Sequence, residues 1–225
     1  MNGKGGYGLK HVIWDFNGTI LDDLELAVES LNSVLRARDL PVVTVGEHRE
    51  RFRFPVSEYY RDLGLEVDGD SFAALSDEYH EYYMRYVSTC PLHEGVVDLM
   101  GQLADRGVHQ YLLSAMHEPL LMRCVESLGI ESHFEAIYGL DDRLAQSKVL
   151  RGRELCDAQG IDAERAVLIG DTEHDVEVAR DLGVLPVAAA WGHQAPGMFD
   201  ANVALLADSP SEAQRLLAVE RVIVA

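Results

Sequence analysis

An α/β fold, with a doubly wound parallel sheet and an all-helical insertion, is what this 225-residue sequence predicts. Three observations predict it. Short apolar runs of strand length recur along the chain, patterns with helical spacing separate them, and the one long break in that rhythm reads as helical.

The strands come first. "HVIWDF" (11–16) opens the series, followed by "VHQYLLSA" (108–115), "FEAIYG" (134–139), "AVLIGD" (166–171) and "LPVAAAW" (185–191). Between the later strands, residues 95–107, 118–130, 147–161 and 174–184 repeat apolar side chains at helical spacing. Each of these patterns closes on or beside a glycine, as helix C-termini often do. The tail, 201–219, offers one more strand and a helix. Residues 24–40 and 70–87 carry helical patterns, with "ERFRFPVSEYYRDLGL" between them and no convincing strand. The predicted organisation is a Rossmann-like core from residues 1–21 and 93–225, with a helical cap at 22–92. Hinges are expected near residues 22–24 and 89–91. Folds of this class bind ligands outside the carboxyl ends of their strands.

Composition narrows the partners. Hydrophobic residues at 48% and charged ones at 25% are globular values, so disorder is not expected. A formal charge of -19 argues against nucleic acid and against anionic membrane surfaces, both of which call for basic patches. No apolar run approaches the ~18–20 residues of a membrane span. The first ten residues lack the apolar core of a signal peptide and read as a frayed leader. Cys90, Cys124 and Cys156 are odd in number and show no CxxC spacing, which suits free thiols in a reducing cytoplasm.

Four polar clusters fall at strand ends or at the head of a helix. They are Asp15-Phe16-Asn17-Gly18-Thr19, Ser114, Lys148, and Asp171 with Asp175. One parallel sheet brings its strand ends to a single rim, so these groups can converge. Lysine is scarce: apart from Lys4 and Lys10, Lys148 is the only one. An aspartate directly after "VIW" is costly without a partner. A carboxylate nucleophile, a hydroxyl, an ammonium and two further carboxylates suit phosphoryl transfer. Each has a plainer alternative: Ser114 as a strand end, Asp171 as a helix cap, and Asp175 as a complement to the helix dipole. His117, His174 and His193 are expected near the same rim, more as surface or hydrogen-bonding groups than as proton donors.

The clusters "DFNGTILDD", "YLLSA", "SKVL" and "VLIGDTEHDVEVARDLGV", in this order around a helical insertion, resemble the haloacid dehalogenase superfamily. The branch is the one with a small helical cap that includes phosphoglycolate-phosphatase-like enzymes. The resemblance runs from His11 to about Ala207 and includes "WGHQAP" (191–196). It implies a Mg²⁺-dependent phosphatase of a small phosphorylated metabolite, with Asp15 as the nucleophile. Mg²⁺ would be held by Asp15, the main-chain carbonyl of Asn17, Asp171 and waters, with Asp175 supporting from behind. Ser114 and Lys148 would hold the phosphoryl group. The backbone around Phe16, Gly18, Thr19 and Ala115 would bind its oxygens, and Arg53 in the cap could meet a second anionic group.

Asn17 departs from the pattern. The family's phosphatases carry there a second aspartate, which protonates the leaving oxygen and later activates water. An amide cannot exchange that proton, and such help is typically worth ~10²–10⁴ in rate. Three functions remain open: a phosphatase of substrates with good leaving groups, such as acyl or aryl phosphates; a turnover-impaired phosphate-binding or regulatory protein; and a dehalogenase. The last is disfavoured because Asp171 and Asp175 keep the metal pattern. Phosphonate cleavage needs a cap lysine, and residues 23–92 contain none.

Overall fold

A computed structural model describes residues 8–140, 148–200 and 203–218. The first seven residues of the expected leader, Ser147 of the "SKVL" cluster, and the outermost parts of the expected tail lie outside these. Six strands form one parallel sheet in the order β3-β2-β1-β4-β5-β6. They are β1 (His11–Trp14), β2 (His109–His117), β3 (Ala136–Leu140), β4 (Ala166–Gly170), β5 (Leu185–Ala189) and β6 (Leu205–Ala207). This is the order of a doubly wound sheet, and its direction reverses between β1 and β4.

Alternation along the central strands loads both faces of the sheet. Val12, Trp14, Leu112, Val167 and Ile169 enter one apolar cluster, while Ile13, Tyr111, Leu113, Ala166 and Leu168 enter another. The first is covered by α5 (Val96–Asp105), α6 (Glu118–Leu128) and α9 (Pro210–Ala218), through side chains such as Met100, Leu121 and Leu217. The second is covered by α7 (Lys148–Gln159) and α8 (Glu173–Leu182), through Leu155, Val178 and Ala179. Covering both faces explains why these strands read as near-continuous apolar runs. The glycines expected to close helices do so: Gly107, Gly129, Gly160 and Gly183 all take positive φ.

Four helices lie between β1 and β2: α1 (Leu24–Arg36), α2 (Val45–Arg51), α3 (Val56–Asp62) and α4 (Asp70–Tyr86). Two of them, α2 and α3, fall where sequence patterning showed no clear element. Each has only 7 residues, too short for a convincing amphipathic period. A Thr44–Glu47 capping box starts α2. The four helices share their own apolar cluster, which includes Leu31, Leu35, Tyr59 and Leu75. The chain leaves and re-enters the core side by side, where Asp22 N–H donates to the Pro91 carbonyl at 2.9 Å and Leu21 bridges Leu92. No helix among the described residues is long and apolar enough to cross a membrane.

The insertion is fastened to the core at α2. Arg49 Nη2 donates to the Ala190 carbonyl at 2.6 Å, Ala195 N–H donates back to Arg49, and Gln194 Nε2 donates to Phe52. Beside this seam His48 is buried, its Nδ1 3.0 Å from the Tyr59 hydroxyl and its Nε2 without a partner. Burial, with His193 nearby, depresses its pKa to about 3. The unfolded chain therefore binds a proton near pH 6.5 that folded His48 refuses. Its share of stability is complete above 6.5 and is lost as pH falls toward 3, at about 1.4 kcal/mol per pH unit. Urea unfolding at pH 7 and pH 5 should show a smaller acid loss for His48→Phe than for the parent; an equal loss would contradict this.

Candidate active site

Strand ends position the reactive groups. Asp15 follows β1 directly, and its N–H donates to the Ile169 carbonyl of β4 at 2.8 Å. Asp171 follows β4. Both carboxylates therefore sit where the sheet order reverses, the position at which open α/β sheets bind ligands. Lys148, the first residue of α7, reaches in from the side. Its Nζ donates to Asp15 Oδ1 and, at 2.6 Å, to Asp175 Oδ1. The other oxygen of Asp175 accepts from Thr172 Oγ1 at 2.7 Å and from Thr172 N–H at 3.1 Å, forming the capping box of α8. Asp175 thus starts a helix and aims the lysine with the same carboxylate.

Asp171 is not the helix cap; Thr172 is. Its Oδ2 accepts from His193 N–H at 2.6 Å and lies 2.9 Å from His193 Nδ1, while Thr19 Oγ1 lies 3.3 Å from Oδ1. Gly18 makes this approach possible. Its φ is 71°, and a Cβ there would overlap Asp171 and His193.

Buried charge governs the titration of these groups. Burial pushes Asp15 up to about 8 against the pull of Lys148, with Asp175 and Asp171 adding to the rise. Burial alone would lower Lys148, but Asp15 and Asp175 outweigh it and hold the ammonium charged. Burial would also raise Asp175, and Lys148 more than offsets this. For His193, burial pulls down while Asp23 and Asp171 raise it to about 9. One carboxylate oxygen from each of Asp15, Asp171 and Asp175 lies within 4.8 Å of the others. Lys148 and His193 are the cations facing these three carboxylates, so negative charge still exceeds positive, and an all-oxygen donor set suits Mg²⁺.

Asn17 has its own partners. Its Nδ2 donates to Asp23 Oδ2 at 3.0 Å and to the Tyr83 hydroxyl at 2.7 Å. Tyr83 in turn donates to Asp23 Oδ2 at 2.5 Å, Gly18 N–H donates to Asp23 Oδ1 at 2.8 Å, and His193 Nε2 is 3.4 Å from the same oxygen. Asp23 is only 2% exposed. A buried carboxylate thus stands six residues after the position where the family pattern has one. Sequence reasoning placed Asp23 in a hinge and missed Tyr83. The available signal was the Asp22-Asp23 doublet, one of whose members must turn inward at the start of α1.

A cavity of about 400 Å³ opens over these groups, between the strand ends and the helical insertion. Asp15, Asn17, Ser114, Ala115, Lys148, Asp171, Asp175 and all three expected histidines line it. Ser114 sits 1% exposed within β2, its Oγ accepting from Met116 N–H at 3.1 Å. The remaining expected contacts are not brought to the cavity. The Phe16 side chain is packed in the core, and Thr19 is turned to Asp171. Gly18 N–H, expected to face a phosphate, is instead taken by Asp23 and the Leu21 carbonyl. Arg53 is ion-paired with Asp62 at 2.5 Å on the outside of the insertion.

The fold and this rim of carboxylates define a hydrolase of the haloacid dehalogenase-like family. The chain belongs to that family, which it matches over residues 12–189. Tyrosine-protein kinase PtkA of Mycobacterium tuberculosis is 30% identical over 192 residues, covering 84% of this chain. The chain spans 65% of that relative's length. Phosphoglycolate phosphatase of Xanthomonas campestris pv. campestris is 27% identical over 186 residues, covering 81% of this chain and 84% of the relative. The solved structure of M. tuberculosis PtkA aligns with a TM-score of 0.77 at 26% identity, over 95% of this chain and 100% of that one. A haloacid dehalogenase-like family protein of Streptococcus pneumoniae, 19% identical, also gives 0.77, over 92% and 98%, and shares the fold.

The Asn17–Asp23 pair yields a direct test. Asn17→Asp sets a half-buried carboxylate against the buried one of Asp23 and removes an amide donor. It should lower stability by about 1–3 kcal/mol at pH 8, with the loss shrinking at lower pH as the pair takes up a proton. The exchange Asn17→Asp with Asp23→Asn restores one amide and one carboxylate and should recover most of it. Urea denaturation of the three proteins measures this; an Asn17→Asp protein as stable as the parent would contradict the pairing.

Proposed function

We propose that this protein is a Mg²⁺-dependent phosphatase of small phosphorylated molecules that works through a phospho-aspartate on Asp15. The observation that carries it is the convergence of Asp15, Lys148, Asp171 and Asp175 at the switch point of the sheet. The relatives support phosphoryl chemistry as the common ground: one is a tyrosine-protein kinase and another a phosphoglycolate phosphatase.

As the family resemblance implies, Asp15, Asp171 and the Asn17 main-chain carbonyl would hold the ion, with Asp175 bonded to Lys148 and Thr172 behind them. When bound, Mg²⁺ supplies positive charge that keeps Asp15 ionised and screens the phosphate. Lys148 contributes further positive charge at the nucleophile, in a buried site where charge interactions are strong. Ser114, on the neighbouring strand, offers a hydroxyl to the phosphoryl oxygens. Asp15 attacks phosphorus, the leaving oxygen departs, and water then releases phosphate from Asp15. Residues 22–92 act as the cap, excluding bulk water above the rim. The Asn17 amide supplies no proton to the leaving oxygen, so substrates with good leaving groups are favoured.

A panel of phosphate esters, including an acyl and an aryl phosphate, assayed with Mg²⁺ and with chelator, tests the function. Turnover should need Mg²⁺, and Asp15→Asn should abolish it while circular dichroism stays native. Turnover that survives Asp15→Asn would exclude the mechanism. Tight Mg²⁺-dependent phosphate binding without turnover of any ester would favour a binding protein instead.

A further inference from the structure

Beyond its charged rim the cavity is apolar and aromatic. The insertion contributes Phe52, Phe54, Phe72, Tyr79 and Met84, and the core adds Met116. Phe52 and Phe54 meet edge to face at 5.5 Å, Phe54 lies 4.7 Å from the His174 ring, and Phe72 lies 6.1 Å from Tyr60. Among the described residues Lys148 is the only lysine or arginine lining the cavity, and two carboxylates already hold it. The arginines of the α2 region are engaged elsewhere. Arg49 is bonded to the Ala190 carbonyl, Arg51 to the Asp62 carbonyl and Arg53 to the Asp62 side chain. A substrate carboxylate or second phosphate entering this space would lose its water and find no unpaired lysine or arginine among the described lining residues. The His193 ring is already held between Asp171 and Asp23.

We propose that the cavity selects an aryl phosphate monoester, with the phosphoryl group at Asp15 and an uncharged aromatic ring against Phe52, Phe54, Phe72 and Tyr79. This rests on the phosphatase function proposed above and names its substrate class. Two independent observations meet in it. The first is the aromatic lining, which suits edge-to-face and stacked contacts with a ring. The second is Asn17, whose amide is bound to Asp23 and Tyr83 and supplies no proton. A phenol ionises near pH ~10, whereas water, the nearest reference for an alkyl alcohol, ionises near ~15.7. A phenolate therefore leaves with far less proton help than an alkoxide. In the first step the Asp15 carboxylate forms a bond to phosphorus and the aryl C–O–P bond breaks at P–O, releasing phenolate, which takes a proton from solvent. In the second, water adds to phosphorus, Asp15 departs as carboxylate and inorganic phosphate leaves. The size is adequate, since small-molecule sites span roughly 300–1,000 Å³.

The experiment has two arms, both with Mg²⁺ and the full chain. In the first, kcat/KM is compared for phenyl phosphate, cyclohexyl phosphate and 2-phosphoglycolate. In the second, calorimetry compares binding of two non-hydrolysed probes, phenylphosphonate and phosphonoacetate. The expected results are a kcat/KM for phenyl phosphate at least ~10²-fold above either competitor, and binding of phenylphosphonate at least about tenfold tighter. Phe54→Ala should raise KM for phenyl phosphate more than for methyl phosphate. Preference for 2-phosphoglycolate, equal use of cyclohexyl phosphate, or binding that fails to favour phenylphosphonate would overturn the proposal. Tighter phenylphosphonate binding without turnover of any ester would sustain the aryl pocket and overturn the phosphatase function.

Discussion

A lysine ammonium buried between two aspartates is the constraint on which the rest of this site depends. Lys148 is 4% exposed and its charge cannot be left in that position unpaired. Asp15 and Asp175 pair it, and each comes from a different part of the fold. Asp15 is fixed by β1, Lys148 by the first turn of α7, and Asp175 by the first turn of α8. Both ion pairs therefore form only when the three elements pack in this arrangement. The same arrangement sets three carboxylates, Asp15, Asp171 and Asp175, against two cations, Lys148 and His193. An electrostatic deficit of this kind is what a phosphate-handling site fills with a divalent cation, and it makes a catalytic function more natural than a purely structural one.

Asn17 takes its meaning from Asp23. Seen alone it is a missing acid. In the structure its amide is one corner of a closed set with Asp23 and Tyr83, so the position is built around an amide and not merely depleted of a carboxylate. Tyr83 belongs to α4, and Asp23 lies at the entry to α1. The set therefore ties the helical insertion to the loop that carries Asp15. Arg49 and Gln194 make a second tie on the other side of the cavity. Between these two seams lies an aromatic chamber whose described residues offer no free cation, which is why substrate charge and leaving-group acidity are the properties that should decide turnover.

Much of this was legible in the amino-acid order. The six-stranded parallel sheet, the helical insertion and the gathering of Asp15, Ser114, Lys148, Asp171 and Asp175 follow from apolar runs and polar strand ends, because a parallel sheet forces strand ends together. The family match to residues 12–189 agrees with the motif order. What escaped depends on side-chain direction, which one sequence does not carry. Asp23 and Asp22 are adjacent and alike, yet only Asp23 turns inward. Arg53 looked available for a second anion, but Asp62, nine residues on, captures it. The Gly18 amide looked ready for phosphate, but Asp23 takes it. The short helices α2 and α3 were hidden because 7 residues give too few turns to establish a period.

The central claim is that Asp15 becomes covalently phosphorylated during turnover. Rapid acid quenching of the protein with phenyl phosphate and Mg²⁺, followed by intact-mass analysis and peptide mapping, tests it directly. The account predicts a transient phosphoryl group on the peptide containing Asp15, absent from Asp15→Asn. Turnover with no phosphorylated protein, or with the group on another residue such as His193, would contradict it.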